Sequence, residues 1–153
     1  MFIELNNKFE LDIFGNHNIN ITNKNMDKKL KISSGAKWED IIGYSRAVIS
    51  GNRIMIGGTT AVDENSKIVS KGDAYAQTKY IFQKIEKYLA QAGAKLDDVV
   101  INRIYTTDIS KWESIGKAHG EFFGKIKPCC TMVEVRSLLS PDMLVEIETE
   151  AVI

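Results

Sequence analysis

The chain has 153 residues, enough for one domain with a real hydrophobic core. Its 44% hydrophobic and 26% charged content is that of a globular protein, and twenty basic residues balance twenty acidic ones, leaving no net field to draw nucleic acid or a membrane surface. No apolar run approaches the roughly 18 residues of a membrane helix, the N-terminus lacks the basic start and apolar core of a secretory signal, and two adjacent cysteines make no disulfide framework, so the expected location is the cytoplasm.

Residues 1–25 are rich in Asn, with enough apolar alternation in "NINIT" for a strand or two and a hairpin turned at Gly15-Asn16. They read as an N-terminal extension, and Met26 opens the domain proper, residues 26–153. "YSRAVIS" and "RIMIGG" are two strands joined by a Gly51-Asn52 turn. After a loop, Asp73 caps a helix carrying Ile81, Ile85, Tyr88, Leu89 and Ala92 at helical spacing, closed by Gly93. "DDVVINRIYTT" is a strand, and "SKWESIGKAHGEFFG" is a second helix with Trp112, Ile115, His119 and Phe122 or Phe123 along one side. A strand from Pro128 through Val135 follows, and "MLVEIETEAVI" closes the chain with Val145, Ile147, Thr149 and Ala151 on one face. The order β-β-α-β-α-β-β predicts an α+β domain, two helices against one mixed or antiparallel sheet.

Three groups of residues carry candidate chemistry. Cys129 and Cys130 are neighbours on a strand, so their side chains point to opposite faces. Their Cα atoms sit about 3.8 Å apart, closer than the roughly 4.4–6.8 Å of ordinary disulfides, so a bridge between them would be strained. A zinc site would have only His17 and His119 to draw on, neither at finger-like spacing. That leaves two small hydrophobes in a core strand, or a reactive thiol at Cys130 with His119 nearby. Glu146, Glu148 and Glu150 alternate along one face of the last strand. They are either a solvated row or, against a pocket, the source of a general base. The run Gly57-Gly58-Thr59-Thr60 forms a turn or admits a ligand close to the backbone, and it lacks the Lys-Ser/Thr ending of a phosphate loop.

In sequence order, "GYSRAV" at 43–48, "GGTT" at 57–60, "GDAYAQT" at 72–78, "LAQAGAKLDDVV" at 89–100, "YTTDISKW" at 105–112, "FF" at 122–123, "PCCTMVEV" at 128–135 and "LVEIETEAV" at 144–152 resemble the RidA (YjgF) family of reactive intermediate/imine deaminases over about residues 38–153. The resemblance implies a chorismate-mutase-like fold assembled as a homotrimer with three intersubunit clefts. It also implies hydrolysis of small enamines and imines to keto acid and ammonia without cofactor or metal. Position by position, it implies that Tyr44, Gly58, Thr59 and His119 line the ligand site and that Glu146 handles the attacking water.

The position where deaminating members keep a carboxylate-clamping arginine is Cys130, placed here with Glu146 among the catalytic candidates. Gly116 and His119 stand where those members often have Asn and Tyr, and no proline separates Gly43 from Tyr44. The chain thus looks like an arginine-lacking branch, with Arg46 or Arg136 as the other cations to consider. The expected function is hydrolysis or deamination of a small enamine or imine. The alternative is a trimer that binds a small metabolite without turnover, and a redox or chaperone-like role through Cys130 comes after it. An endoribonuclease or translation-inhibitor role is opposed by zero net charge, the lack of a basic stripe and the lack of an acid–base histidine pair. The expected partners are a small-molecule ligand and two further copies of the chain, not nucleic acid or membrane.

Overall fold

The computed structural model describes residues 29–153. The expected N-terminal strands, the Gly15-Asn16 turn, the Met26 start and His17 lie outside the described residues. The elements in chain order are β1 (Leu30–Ile32), α1 (Lys37–Ile42), β2 (Ala47–Ser50), β3 (Arg53–Thr60), α2 (Ala74–Gln91), β4 (Val99–Thr106), α3 (Trp112–Phe123), β5 (Cys129–Glu134) and β6 (Val145–Val152), with short 3-10 turns leading into β4 and α3. The sheet order is β1-β2-β3-β6-β4-β5. Every pairing is antiparallel except β4–β5, where α3 provides the crossover that a parallel pair requires.

Local signals account for most of these boundaries. The Asp73 carboxylate accepts the Ala76 amide at 3.0 Å and starts α2. Gly93, at φ 81°, ends it, its amide reaching the Ala90 carbonyl at 3.1 Å while Ala94 reaches Leu89 at 2.9 Å. Both long helices lie on one face of the sheet. There Val145, Ile147, Thr149 and Ala151, alternate residues of β6, are wholly buried with Ile54, Ile104, Ile81, Phe82, Ile85, Leu89 and Ile115. Each large apolar side chain removed from water contributes about 1.5–3 kcal/mol.

Two elements have no counterpart in the pattern of the sequence. β1 is three residues long, too short for a periodicity. In α1 the pattern is inverted: Trp38, Ile41 and Ile42 are exposed and Glu39 is buried. Its carboxylate accepts the Ser34 amide at 2.9 Å and the Ser34 and Ser33 hydroxyls. Burial alone would raise the Glu39 pKa, but these donors, with help from the Arg46 charge, hold it below the ordinary value. Gly43, left-handed at φ 84°, then ends α1, and the Gly43 and Tyr44 amides both reach the Glu39 carbonyl. The strand expected from Tyr44 consequently begins three residues later, at Ala47.

Candidate functional site

The site is built around an irregularity in β3. Ile56 is opposite Thr149 and Thr59 is opposite Ile147, so Gly57 and Gly58 together face the single residue Glu148. This is a β-bulge, a device that re-aims side chains and is common beside active sites. Thr59 is buried, and its hydroxyl donates to the Gly57 carbonyl at 2.8 Å. From the loop before β2, Arg46 Nη1 donates to the carbonyls of Gly58 at 2.5 Å and Gly57 at 3.3 Å, and reaches Thr59 Oγ1 at 3.4 Å. The guanidinium carbon lies 5.6 Å from the centroid of the Tyr44 ring, within cation–π range. From α2, Lys84 Nζ donates to the carbonyls of Thr60 at 3.0 Å and Val62 at 2.7 Å, and burial pulls its pKa down to about 8.

Glu146 stands opposite Thr60 on β3 and Tyr105 on β4. Its side chain occupies the space a side chain at position 58 would need. A Cβ there would overlap the carboxylate and lie 3.0 Å from its Cδ. Gly58 therefore serves by its missing side chain, which lets the carboxylate settle over the bulge. Burial raises the Glu146 pKa, the Arg46 charge pulls it back in part, and Glu148 raises it further. A half-buried carboxylate with a raised pKa and no hydrogen bond from a described residue can take a proton from water.

Further along the same face, Tyr105 donates to Glu148 at 3.1 Å, and Glu150 sits between Arg53 Nη2 at 2.6 Å and Arg103 Nη1 at 2.8 Å. A recess of about 200 Å³ adjoins the bulge, lined by Met55, Gly57, Arg103, Glu148 and Glu150. A larger one of about 560 Å³, between the far ends of α2 and α3, is lined by Glu86, Lys95, Phe122 and Lys125 and holds none of the candidate residues. The smaller one is not lined by Glu146 or Gly58 either, and meets the bulge only at Gly57.

His119 and Cys130 are elsewhere. Asn102, fully buried and unremarked in the sequence, accepts the Thr149 hydroxyl at 2.7 Å and turns its amide group to His119 Nε2 at 3.2 Å. With the amide as donor, Nε2 is the accepting nitrogen and the proton is assigned to Nδ1. The ring packs against Phe82 and Phe123, with centroids at 5.6 and 4.9 Å, and desolvation lowers its pKa, so it is a neutral, packed histidine. A buried polar residue in the middle of a strand pattern was the only available signal for Asn102.

Cys130 pairs in register with Asn102, and Glu146 with Tyr105, so within one chain the two catalytic candidates point to opposite faces of the sheet. The expectation of two cysteines in a core strand is corrected. β5 is the sheet edge, and both thiols are free and exposed in the single chain. Partial desolvation pushes the Cys130 thiol up, the opposite of what a reactive thiolate needs. Among the described residues no group of three or more His, Cys, Asp or Glu is placed to hold a metal ion, and no helix is long and apolar enough to cross a membrane.

Comparison with known proteins places this arrangement. Residues 34–153 match the family described as Endoribonuclease L-PSP. A RutC family protein of Pyrococcus abyssi is 37% identical over 108 residues, 71% of this chain and 84% of that one. The 3-aminoacrylate deaminase RutC of Acinetobacter baylyi is 34% identical over 108 residues, 71% of this chain and 85% of its own. The crystal structure of Rv2704 from Mycobacterium tuberculosis, a member of the YjgF/YER057c/UK114 family, superposes with a TM-score of 0.74 at 44% identity, covering 82% of this chain and all of that one. With its six-stranded mixed sheet, two main helices and matched sequence, the chain belongs to the RidA/YjgF/L-PSP family.

Proposed function

We propose that this protein hydrolyses small enamine or imine metabolites, with Glu146 activating the water. The observation that carries the reading is the Glu146 carboxylate, held over a side-chain-free bulge with a raised pKa and no hydrogen-bond donor among the described residues. In the step it serves, the enamine is first protonated at carbon to its imine form. Glu146 takes a proton as water oxygen bonds to the C=N carbon, and the nitrogen of the resulting aminoalcohol is protonated. The C–N bond then breaks as the hydroxyl gives up its proton to solvent, releasing ammonia and leaving the carbonyl product. One water is consumed and no redox partner is needed. The 34% identity to a protein named 3-aminoacrylate deaminase supports this class.

The chain is read as an arginine-lacking branch, with Cys130 at the clamp position as a neutral thiol lining the site. Because Cys130 and Glu146 point to opposite faces of one sheet, a cleft containing both needs two chains, which the homotrimer would supply. The missing arginine also supports a second reading, a trimer that holds a small metabolite without turnover. A nuclease role remains disfavoured by zero net charge.

The test is loss of a freshly generated 2-imino acid above its spontaneous rate, in wild type, Glu146→Gln and Cys130→Arg. Turnover by wild type that falls 10²–10⁴-fold in Glu146→Gln is the expected result. Activity confined to Cys130→Arg would mean a competent fold retuned for another ligand. Silence in both, with ligand-induced stabilisation, would favour the binder.

A further inference from the structure

Three polar side chains on the helix-covered face of the sheet form a hydrogen-bond chain with a fixed direction. Thr149 Oγ1 donates to Asn102 Oδ1 at 2.7 Å, and the Asn102 amide group meets His119 Nε2 at 3.2 Å. Thr149 and Asn102 are wholly buried, so neither can turn to water instead. Because the hydroxyl gives its proton to Oδ1, the amide N–H is left to face the imidazole, and Nε2 has to be a bare lone pair. The chain thereby ties α3 to β4 and β6 on the condition that His119 is neutral.

A proton arriving at Nε2 puts donor against donor. The Asn102 amide can answer only by turning over, so that Oδ1 accepts from Nε2 and its N–H group faces Thr149. The Thr149 hydroxyl then has to accept, and its own proton loses its acceptor inside the core, which is costly. The alternative is for the charged ring to leave its place between Phe82 and Phe123 for water, taking α3 with it. The surroundings hold nothing to stabilise the cation where it stands. α2 presents Phe82, α3 presents Phe123, β6 presents Thr149, and β5 brings the Cys130 thiol, in register with Asn102 and kept protonated by desolvation. Of the charged residues on the two helices, Lys79 and Glu121 bind each other at 2.9 Å, and none acts on the imidazole, whose shift has desolvation as its cause.

We propose that Thr149, Asn102 and His119 form an acid-sensitive latch, which holds α3 on the sheet while His119 is neutral and releases the helix when Nε2 takes a proton. α3 leads directly into β5, so the release also loosens the edge strand that carries both cysteines. The folded His119 pKa lies below the ordinary 6.5, so the unfolded chain takes the proton first, and the latch's contribution, complete above that value, is lost as pH falls through it.

The test follows the His119 ring nitrogens by NMR from about pH 8 to about pH 5, beside amide hydrogen exchange of α2 and α3 corrected for intrinsic rates. The chains compared are wild type, His119→Gln, Thr149→Val and, as the control at the other histidine, His17→Gln. In wild type the proton sits on Nδ1 at the alkaline end, and α3 loses protection by up to about ten-fold per pH unit in the acid range while α2 keeps its own. His119→Gln, which still offers Asn102 an acceptor but takes no proton, has α3 protection independent of pH, and His17→Gln behaves as wild type. Thr149→Val frees the amide to turn, so the proton moves to Nε2 and the His119 midpoint rises, although the site has become more apolar. A wild-type proton on Nε2, a midpoint unchanged or lowered in Thr149→Val, protection lost equally from both helices, or acid release surviving in His119→Gln each overturns the latch. If Thr149→Val does not fold, the wild-type tautomer and the exchange of α3 against α2 decide by themselves.

Discussion

Two ends of one strand carry the same residue in opposite circumstances. Glu150 and Glu146 lie four residues apart on the same face of β6. Glu150 is bracketed by Arg53 and Arg103, whose hydrogen bonds lower its pKa, the Arg53 bond weighing most. Glu146 has no such donor among the described residues, rests against the bulge in β3, and has its pKa raised, burial being the main cause. The first arrangement neutralises a charge on the sheet face. The second leaves a half-buried carboxylate whose pKa is raised. Burial, partners and a missing side chain across the strand gap separate structure from chemistry here, while residue type is constant.

The comparison breaks most sharply at Glu146. Glu146→Gln is expected to lower imine turnover 10²–10⁴-fold with little change in melting temperature, whereas Glu150→Gln leaves turnover within a few-fold. Equal losses would show that the row acts as a unit. In wild type the acidic limb of the turnover profile should lie above the ordinary carboxyl value of 4.5, because the base must lose its proton against a raised pKa.

Gly58→Ala is the next largest. Its Cβ would collide with the Glu146 carboxylate, so turnover should drop at least ten-fold and stability by about 1–3 kcal/mol, measured by denaturant unfolding. Retained turnover would mean that the carboxylate works from another position.

Lys84→Met removes the donor of the Thr60 and Val62 carbonyls at the Glu146 end, at an expected cost of about 1–3 kcal/mol. The Lys84 pKa falls from 10.5 to about 8 on folding, burial being the main cause. Between those values the unfolded chain holds a proton the native chain does not, so wild-type stability should gain a rising component with pH across that window. The variant should lose that component.

The smallest effect belongs to Glu150→Gln, at most about 1 kcal/mol, because Arg53 is largely and Arg103 partly open to solvent. Its folded pKa is depressed, so this contribution is present above the unfolded carboxyl value and disappears as pH falls through the lower folded one. Stability unchanged by the substitution at neutral pH and low salt would show the pair to be energetically silent.

Much of this was written along the chain. Strict alternation placed Val145, Ile147, Thr149 and Ala151 inside and the three glutamates outside. Helical spacing placed Ile81, Ile85 and Leu89 against the sheet. These depend on period alone, and period survives without knowledge of neighbours. The order of motifs carried the family and pointed to Tyr44, Gly58 and Glu146. It also exposed the cysteine at position 130. Four features were illegible because each is a relation between distant residues. The inverted helix α1 exists because Ser33 and Ser34 satisfy Glu39 across a loop. Asn102 became significant once strand pairing set it between Thr149 and His119, 47 and 17 residues away. Gly57 and Gly58 became a bulge only when β6 supplied one residue opposite two. Sheet register, finally, separated Cys130 from Glu146 by face. Composition and periodicity determine which residues leave water; which polar groups are then left with partners is decided only when the strands pair.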